Sequence, residues 1–204
     1  MVKWLAGAPA LGAIGWSSTQ TDRAARHLHA LAELGPTAPP FTPKFFTPHE
    51  WRTVSVLVDD VIPRDERSGS ATDAKVPEFM DFILADADSS DASRTAMRGG
   101  LAWLDLACDD RFGVLFADAN ETQRHQLLDE IAWPKKARPE MSQGVAFFSR
   151  FRDLTASGFF SSAMGWKDLR YLGNVAVHEW NGCPPAALEK LGVTYAVMDA
   201  KPTK

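Results

Sequence analysis

The chain has 204 residues, with 22 Lys and Arg against 26 Asp and Glu and a formal net charge of −4 at pH 7. This length suits one domain with a sizeable core, and an acidic chain without a basic run lacks the electrostatic footprint of a nucleic-acid-binding protein. Seven tryptophans and twelve phenylalanines are many for this size. Aromatic side chains in such numbers serve a core or an interface between proteins.

Residues 1–20 are typical of an export signal. A single cation, Lys3, precedes a nearly uncharged stretch from Trp4 to Trp16. The stretch is shorter than the roughly 20 apolar residues that span a bilayer, but it matches the apolar core of a secretory signal. No twin arginine precedes it and no clean cleavage site follows. The sequence therefore predicts a remnant of an export signal or a signal truncated upstream, with the route of export open and a buried N-terminal segment as the alternative.

Residues 21–44 are predicted to form a connector that contains one short helix. Prolines at positions 36, 39, 40 and 43 mark irregular chain. Before them, the stretch from Asp22 to Leu34 carries Ala24 and Leu28 at helical spacing and ends at Gly35, a suitable C-terminal cap. The connector is expected to separate the export segment from the folded body.

Residues 45–204 are predicted to form that body, which opens with a capped helix. Thr47 can cap the helix, Pro48 suits the first helical position, and Glu50 completes a capping box. An apolar stripe at i, i+3, i+4 and i+7 then continues until Pro63 ends the helix.

Four further helices follow from the same periodicity. The first is predicted to begin near Val76 and the second to run from Ser93 to Cys108. The third is predicted to follow Asn120, and the fourth to run from Ser142 to Gly158. The predicted core consists of Val54, Leu57, Val61, Phe82, Leu101, Leu104, Leu128, Phe148 and Phe151. No run of alternating apolar residues indicates a strand. The predicted fold class is therefore all-α, a single helical domain with a long irregular C-terminal tail from about Asn174.

The sequence predicts no catalytic, cofactor-binding or metal-binding residues in this chain. It lacks a dinucleotide fingerprint and a phosphate loop. His27 and His29 would face different sides of a helix, and His178 lacks the convergent partners of a metal or catalytic site. Adjacent acids such as those at positions 59 and 60 diverge on a helix, so Asp60 is expected to form an ion pair, with Arg64 as its partner.

The two cysteines differ in context. Cys108 lies on the apolar face of a predicted helix and is expected to be a core thiol. Cys183 lies in the turn "NGCPP" and is expected to be exposed. Because exposed cysteines of exported proteins are usually paired, a disulfide is predicted for Cys183, either with Cys108 or with another chain.

Residues 158–183, which begin with the segment "GFFSSAMGWKDLRYLG" (158–173), are predicted to form a partner interface. Aromatic and Arg side chains are typical of interface hot spots. The candidate interface residues are Phe159, Phe160, Trp166, Arg170, Tyr171 and Trp180. A place in the core is the alternative for the two phenylalanines. An alternative function is an independent sugar-binding module that uses Trp166, Trp180 and His178.

Two segments of the body resemble a known family. "FFTPHEWRTVSVLVDDVIPRDERSGSATDAKVPEFMDFIL" resembles the start of the gluconate 2-dehydrogenase subunit 3 family, in which a capped helix is followed by Ile-Pro, a polar loop and a Val-Pro helix start. "FFSRFRDLTASGFFSSAMGWKDLRYLGNVAVHEWNGCPP" is similar to the closing motif of that family. The resemblance covers about residues 45–185, most of the chain.

The resemblance implies a non-catalytic small subunit with no activity of its own. The implied partner is a large flavoprotein of the glucose-methanol-choline oxidoreductase type, which holds FAD, oxidises a sugar, sugar acid or glycoside, and passes electrons to a cytochrome c. The resemblance further implies a periplasmic or envelope-associated complex that is exported as a whole. This chain is then expected to associate with a membrane only through that complex.

Overall fold

The computed structural model describes residues 15–33, 40–171, 178–179 and 182–195, which are almost entirely helical and turn segments. The helices are α1 (Ser18–Glu33), α2 (Pro48–Val61), α3 (Val76–Ala85), α4 (Asp91–Phe112), α5 (Glu121–Ile131), α6 (Ser142–Phe160), α7 (Ala163–Asp168) and α8 (Pro185–Leu191). Short 3-10 helices span Phe116–Asp118 and Pro139–Met141. No strand occurs in this described part of the chain, and the predicted all-α fold is confirmed.

The chain divides into two compact units, Met1–Tyr171 and Leu172–Lys204. The second unit covers the predicted irregular tail, but its described part contains the two-turn helix α8. Gly192 ends α8 with φ 64°, a backbone conformation that glycine adopts without cost. Near the start of this part, the backbone N–H of Cys183 donates to the Tyr195 hydroxyl at 2.5 Å.

The helix starts follow from local capping chemistry. Thr47 Oγ1 accepts from the N–H of Glu50 at 3.3 Å, and the Glu50 carboxylate accepts from the N–H of Thr47 at 2.8 Å. This is the predicted capping box, and it is confirmed. Asn120 and Gln123 form the same arrangement at the start of α5.

The core is centred on α6, which packs against both α3 and α4. Both faces of α3 are buried, and it supplies Phe79, Met80, Ile83 and Leu84. Seven predicted core residues are buried, namely Val54, Leu57, Leu101, Leu104, Leu128, Phe148 and Phe151. The prediction is wrong for the other two, Val61 and Phe82, which are half-buried at the edge of the core.

The predicted end of α6 at Gly158 is wrong, because the helix continues to Phe160. Gly158 is buried inside the helix, where an added Cβ would lie 2.9 Å from Phe79 Cδ1 and 3.2 Å from Val76 Cγ1. The glycine therefore allows α6 to approach α3 closely. It is needed for helix packing and not for helix termination.

The helix predicted between Asp22 and Leu34 is α1, and it packs against α3 and α6. Ala24 and Leu28 are both buried in the common core. The ring of His27 stacks on Phe82 with 4.7 Å between centroids. The described part of the connector region thus contains a helix that belongs to the packed body.

Two buried carboxylates join distant parts of the first unit. Asp81 accepts the backbone N–H groups of Lys44, Phe45 and Phe46 at 2.8, 2.9 and 3.1 Å, which fixes the segment that enters α2. Asp60 receives two hydrogen bonds from the Arg124 guanidinium, at 2.7 and 3.0 Å. The predicted Asp60–Arg64 pair is therefore wrong.

Glu78 of α3 is expected to make stability depend on pH. Burial, with a further contribution from the nearby Asp81 charge, raises the pKa of Glu78 above its ordinary value of 4.5, although Lys75 opposes the shift. The stabilisation that this group contributes is therefore fully present below the ordinary pKa and is lost as pH rises through the raised folded-state pKa. We expect Glu78→Gln to melt higher than the wild type at pH 7 and to lose that advantage in acid.

The Glu78 prediction is tested by measuring the melting temperatures of both proteins from acid pH up to pH 7. Glu33→Gln is the matched control, because Glu33 is exposed at the end of α1 and surface substitutions of this kind change stability little. A Glu78→Gln protein that melts below the wild type at pH 7 would contradict the prediction.

Candidate partner interface

The turn between α6 and α7 is built by one serine and one glycine. Ser162 Oγ donates to the Phe159 carbonyl at 2.6 Å and accepts from the Gly165 N–H at 3.1 Å, so it ends one helix and caps the next. A Cβ at Gly165 would lie 2.2 Å from the Phe159 carbonyl oxygen. Only glycine lets α7 fold back against the end of α6.

The end of α7 is a Schellman motif. The N–H of Arg170 donates to the Lys167 carbonyl at 3.1 Å, and the N–H of Tyr171 donates to the Trp166 carbonyl at 2.9 Å. Arg170 occupies the left-handed position with φ 54°. The reversal brings Tyr171 back beside Trp166, with 6.0 Å between ring centroids.

The loop after α2 holds α7 on the body. The Arg67 guanidinium lies 2.7 Å from the Asp168 carbonyl oxygen and 2.9 Å from its carboxylate. Gly69 approaches the side chain of Met164 so closely that an added Cβ would lie 3.0 Å from Cε. The short helix is therefore fixed on both sides, as a binding platform requires.

Several predicted interface side chains are exposed on this platform. Trp166 is 45 % exposed, Tyr171 is 61 % and Phe160 is 38 %, and Leu169, which the sequence analysis did not single out, is 57 % exposed. Arg170 is also exposed.

Two predicted interface residues differ from these. Phe159 lies in the core at 1 % exposure, the alternative that the sequence left open. Trp180 lies outside the described residues. We call Phe160, Trp166, Leu169, Arg170 and Tyr171 the α7 strip.

A shallow groove of about 380 Å³ lies beside the α7 strip, between α1 and the α6–α7 turn. Phe160, Ser161 and Trp166 line one side, and Ser18, Thr21, Asp22 and Ala25 of α1 line the other. The α1 residues were not predicted to line an interface, because their helix was assigned to a connector. The apolar face of α1 could have indicated that this helix belongs to the folded body, since such a face needs a surface on which to pack.

The sequence matches the model of one protein family, described as gluconate 2-dehydrogenase subunit 3, over residues 48–180. The chain belongs to this family. The matched range contains α2 to α7 and therefore the whole α7 strip. No curated protein and no solved structure matches the chain.

Membership in the subunit 3 family identifies the chain as an accessory component of a dehydrogenase complex with a larger subunit. Complexes of this family are periplasmic or membrane-associated. Among the described helices of this subunit 3 chain, none has the length and apolar character needed to cross a membrane.

The remaining candidate groups of this subunit 3 chain are dispersed. No three His, Cys, Asp or Glu side chains of the described ranges form a group that could hold a metal ion. His178 is exposed in the second unit. His49 is not among the residues singled out from the sequence, and its Nε2 lies 2.6 Å from the Asp105 carboxylate. Asp105 also accepts the Phe116 N–H at 3.1 Å, so the pair joins α2 to α4 and the following 3-10 helix.

Cys108 and Cys183 are not bonded to each other in the structure. Cys108 is buried as predicted, and burial raises the pKa of its thiol, with a smaller contribution from the Asp105 charge. A thiol of this kind is unreactive because only the thiolate is a nucleophile. Cys183 is exposed as predicted, and its disulfide stays a prediction.

Gly165→Ala is expected to displace α7. The added methyl group would meet the backbone oxygen of Phe159, which cannot move without unwinding the end of α6. We expect a loss of about 1–3 kcal/mol in the free energy of unfolding, together with weaker binding to the partner chain.

Urea unfolding measures the free energy of unfolding of Gly165→Ala and of a control variant, Gly99→Ala, against the wild type. Gly99 also lies in a helix, but nothing lies within 4 Å of its Cβ position, so Gly99→Ala is expected to gain up to about 1 kcal/mol. A Gly165→Ala protein as stable as the wild type would show that the turn does not depend on glycine.

Proposed function

We propose that this chain is the non-catalytic small subunit of an FAD-dependent dehydrogenase that oxidises a sugar, sugar acid or glycoside. Its partner is a large flavoprotein of the glucose-methanol-choline type, which holds the FAD and passes electrons to a cytochrome c. The observation that carries the proposal is the α7 strip, an exposed set of aromatic and apolar side chains on a fixed platform inside the family match.

The physical role of such a subunit is to stabilise its partner. Exposed aromatic anchors contribute binding energy when they enter a pocket, because they bury a large area with few rotatable bonds. A ligand that binds only the folded partner raises the stability of that partner by about 2.7 kcal/mol when its concentration is 100 times Kd. Support of folding and stability therefore needs no chemistry in the small subunit.

The complex is proposed to work in the periplasm or at the cell envelope. The two subunits would be exported together, with any membrane association supplied by the rest of the complex. The apolar stretch from Trp4 to Trp16 supports this proposal.

The decisive experiment expresses the large flavoprotein of the same host with and without this chain. With a tag on this chain, we expect a yellow complex that reduces an electron-accepting dye with sugar substrates. Without this chain, we expect less folded flavoprotein in the periplasmic fraction. An equal yield of active flavoprotein in both cultures, with nothing bound to the tagged chain, would refute the proposal.

The purified chain alone is expected to carry no flavin and to reduce no dye. The reason is that its sequence lacks a dinucleotide fingerprint. Absorbance spectra and dye-reduction assays of the isolated chain test this, with the co-purified complex as the positive control. A yellow, active preparation of the isolated chain would contradict the prediction.

A further inference from the structure

The C-terminal end of α7 presents two positive charges that have no ion-pair partner among the described residues. Lys167 and Arg170 are both exposed, and neither side chain has an ion-pair partner within the part of the chain that the structure describes. The acidic residue between them, Asp168, is bound by Arg67 at 2.9 Å and its side chain is only 18 % exposed. The α7 strip therefore combines a local positive charge with exposed apolar rings, on a chain whose net charge is −4.

Arg170 stands in a backbone conformation that favours glycine. At φ 54° the Cβ of an L-residue is crowded by the backbone, and the corresponding position of a Schellman motif is usually glycine. Arginine has no short polar group with which to stabilise this conformation, as asparagine does. The local structure thus gains nothing from the Arg170 side chain, which is exposed and has no hydrogen-bond or ion-pair partner among the residues that the structure describes.

We propose that the α7 strip binds an acidic and apolar segment of the larger subunit. In this arrangement a carboxylate of that segment pairs with the Arg170 guanidinium, whose planar fork suits bidentate binding. Lys167 adds a second positive charge, and an apolar side chain of the segment packs against Trp166 and Tyr171. The inference rests on the proposed function and specifies the chemistry of its interface. Charge complementarity of this kind fixes the register of two partners and speeds their encounter.

An anionic membrane surface is the competing occupant for a basic and aromatic strip. Recognition of anionic lipids typically uses clusters of 4–8 Lys and Arg. Here only two cations, Lys167 and Arg170, lack an ion-pair partner at the end of α7 among the described residues. The observations therefore favour a protein segment, and vesicle binding serves as an arm of the test.

The test compares binding of the purified chain to the flavoprotein that co-purifies with it. We expect Arg170→Gly to raise Kd about 10-fold while melting no lower than the wild type, because glycine suits the φ of this position. Arg170→Lys is expected to retain part of the affinity. Lys167→Gln is expected to weaken binding and to reduce its dependence on salt. Lys135→Gln removes the same charge from an exposed position after α5 and is the matched control, with unchanged binding.

Carbodiimide cross-linking identifies the proposed contact directly, because this reagent joins a carboxylate to a nearby amine. We expect the Lys167 amine to become linked to an Asp or Glu of the larger subunit in the intact complex, and mass spectrometry to locate that residue. Lys135 should yield no such product.

The outcomes separate the inference from the proposed function. A stable complex in which Arg170→Gly and Lys167→Gln bind like the wild type, without a Lys167 cross-link, overturns the inference and leaves the proposed function standing. Binding to phosphatidylserine vesicles that these two substitutions abolish, while the complex is unaffected, overturns it in favour of a membrane contact. If no flavoprotein associates with the chain, the proposed function and the inference both fail.

Discussion

Replacing Asp81 by alanine is expected to lower the free energy of unfolding by about 3–5 kcal/mol. Asp81 is 1 % exposed, and its carboxylate accepts three backbone N–H groups, from Lys44, Phe45 and Phe46. Alanine would leave these donors without an acceptor, and the ones at Phe45 and Phe46 are buried. Each buried donor without a partner costs about 1–3 kcal/mol. The loss should release the segment that leads into α2.

Asp81→Asn separates the hydrogen bonds from the side-chain volume. Its amide keeps one oxygen acceptor, but its NH2 group would face a backbone donor, so we expect roughly half of the alanine effect. Asp110→Ala is the matched control, because Asp110 is an exposed acid on α4 and such changes stay within about 0.5 kcal/mol. Urea unfolding measures all three proteins. An Asp81→Ala protein within about 1 kcal/mol of the wild type would show that water replaces the carboxylate.

The sequence predicted those parts of the fold that depend on neighbouring residues. The capping box of Thr47 and Glu50 needs only a spacing of three residues, and it starts α2 where expected. The apolar stripes of α2, α4, α5 and α6 likewise predict which helix faces are buried. Local rules of this kind suffice for the all-α class.

Contacts between residues far apart in the sequence could not be predicted. Arg124 lies 64 positions from Asp60, whereas Arg64 lies four positions away and was the natural local choice. Asp81 lies 35–37 positions from the N–H groups that it accepts. The pattern of one helix does not reveal which distant backbone will need an acceptor. The prediction for Gly158 is wrong for the same reason, because the glycine is needed for its contact with Phe79, which lies on another helix.

The candidate interface was predicted in part. Composition alone picked out the aromatic residues at positions 159–171, but burial separates Phe159 from its neighbour Phe160, since successive residues on a helix point in different directions. Leu169 is exposed at the position directly after the end of α7, and no periodicity of the sequence singles it out. The contribution of α1 to the groove depends on tertiary packing, and this packing cannot be predicted from the pattern of residues 158–171.

Trp166→Ala is expected to weaken the complex with the larger subunit far more than it destabilises this chain. An aromatic anchor in a partner pocket contributes about 2 kcal/mol, or roughly 30-fold in Kd. Because Trp166 is 45 % exposed in the isolated chain, its removal should cost less stability than the loss of a buried ring. We expect Tyr171→Ala, at 61 % exposure, to behave in the same way.

Two controls distinguish an interface anchor from a core residue. Trp133 is 60 % exposed and lies outside the α7 strip, next to Lys136, so Trp133→Ala should change neither melting nor binding. Phe151 is fully buried, and Phe151→Ala should cost about 3–5 kcal/mol of stability while the molecules that stay folded still bind. Affinity and thermal melting are measured on each variant. If Trp166→Ala melted like Phe151→Ala yet bound the flavoprotein with unchanged Kd, Trp166 would belong to the packing of this chain, and the larger subunit would have to bind elsewhere.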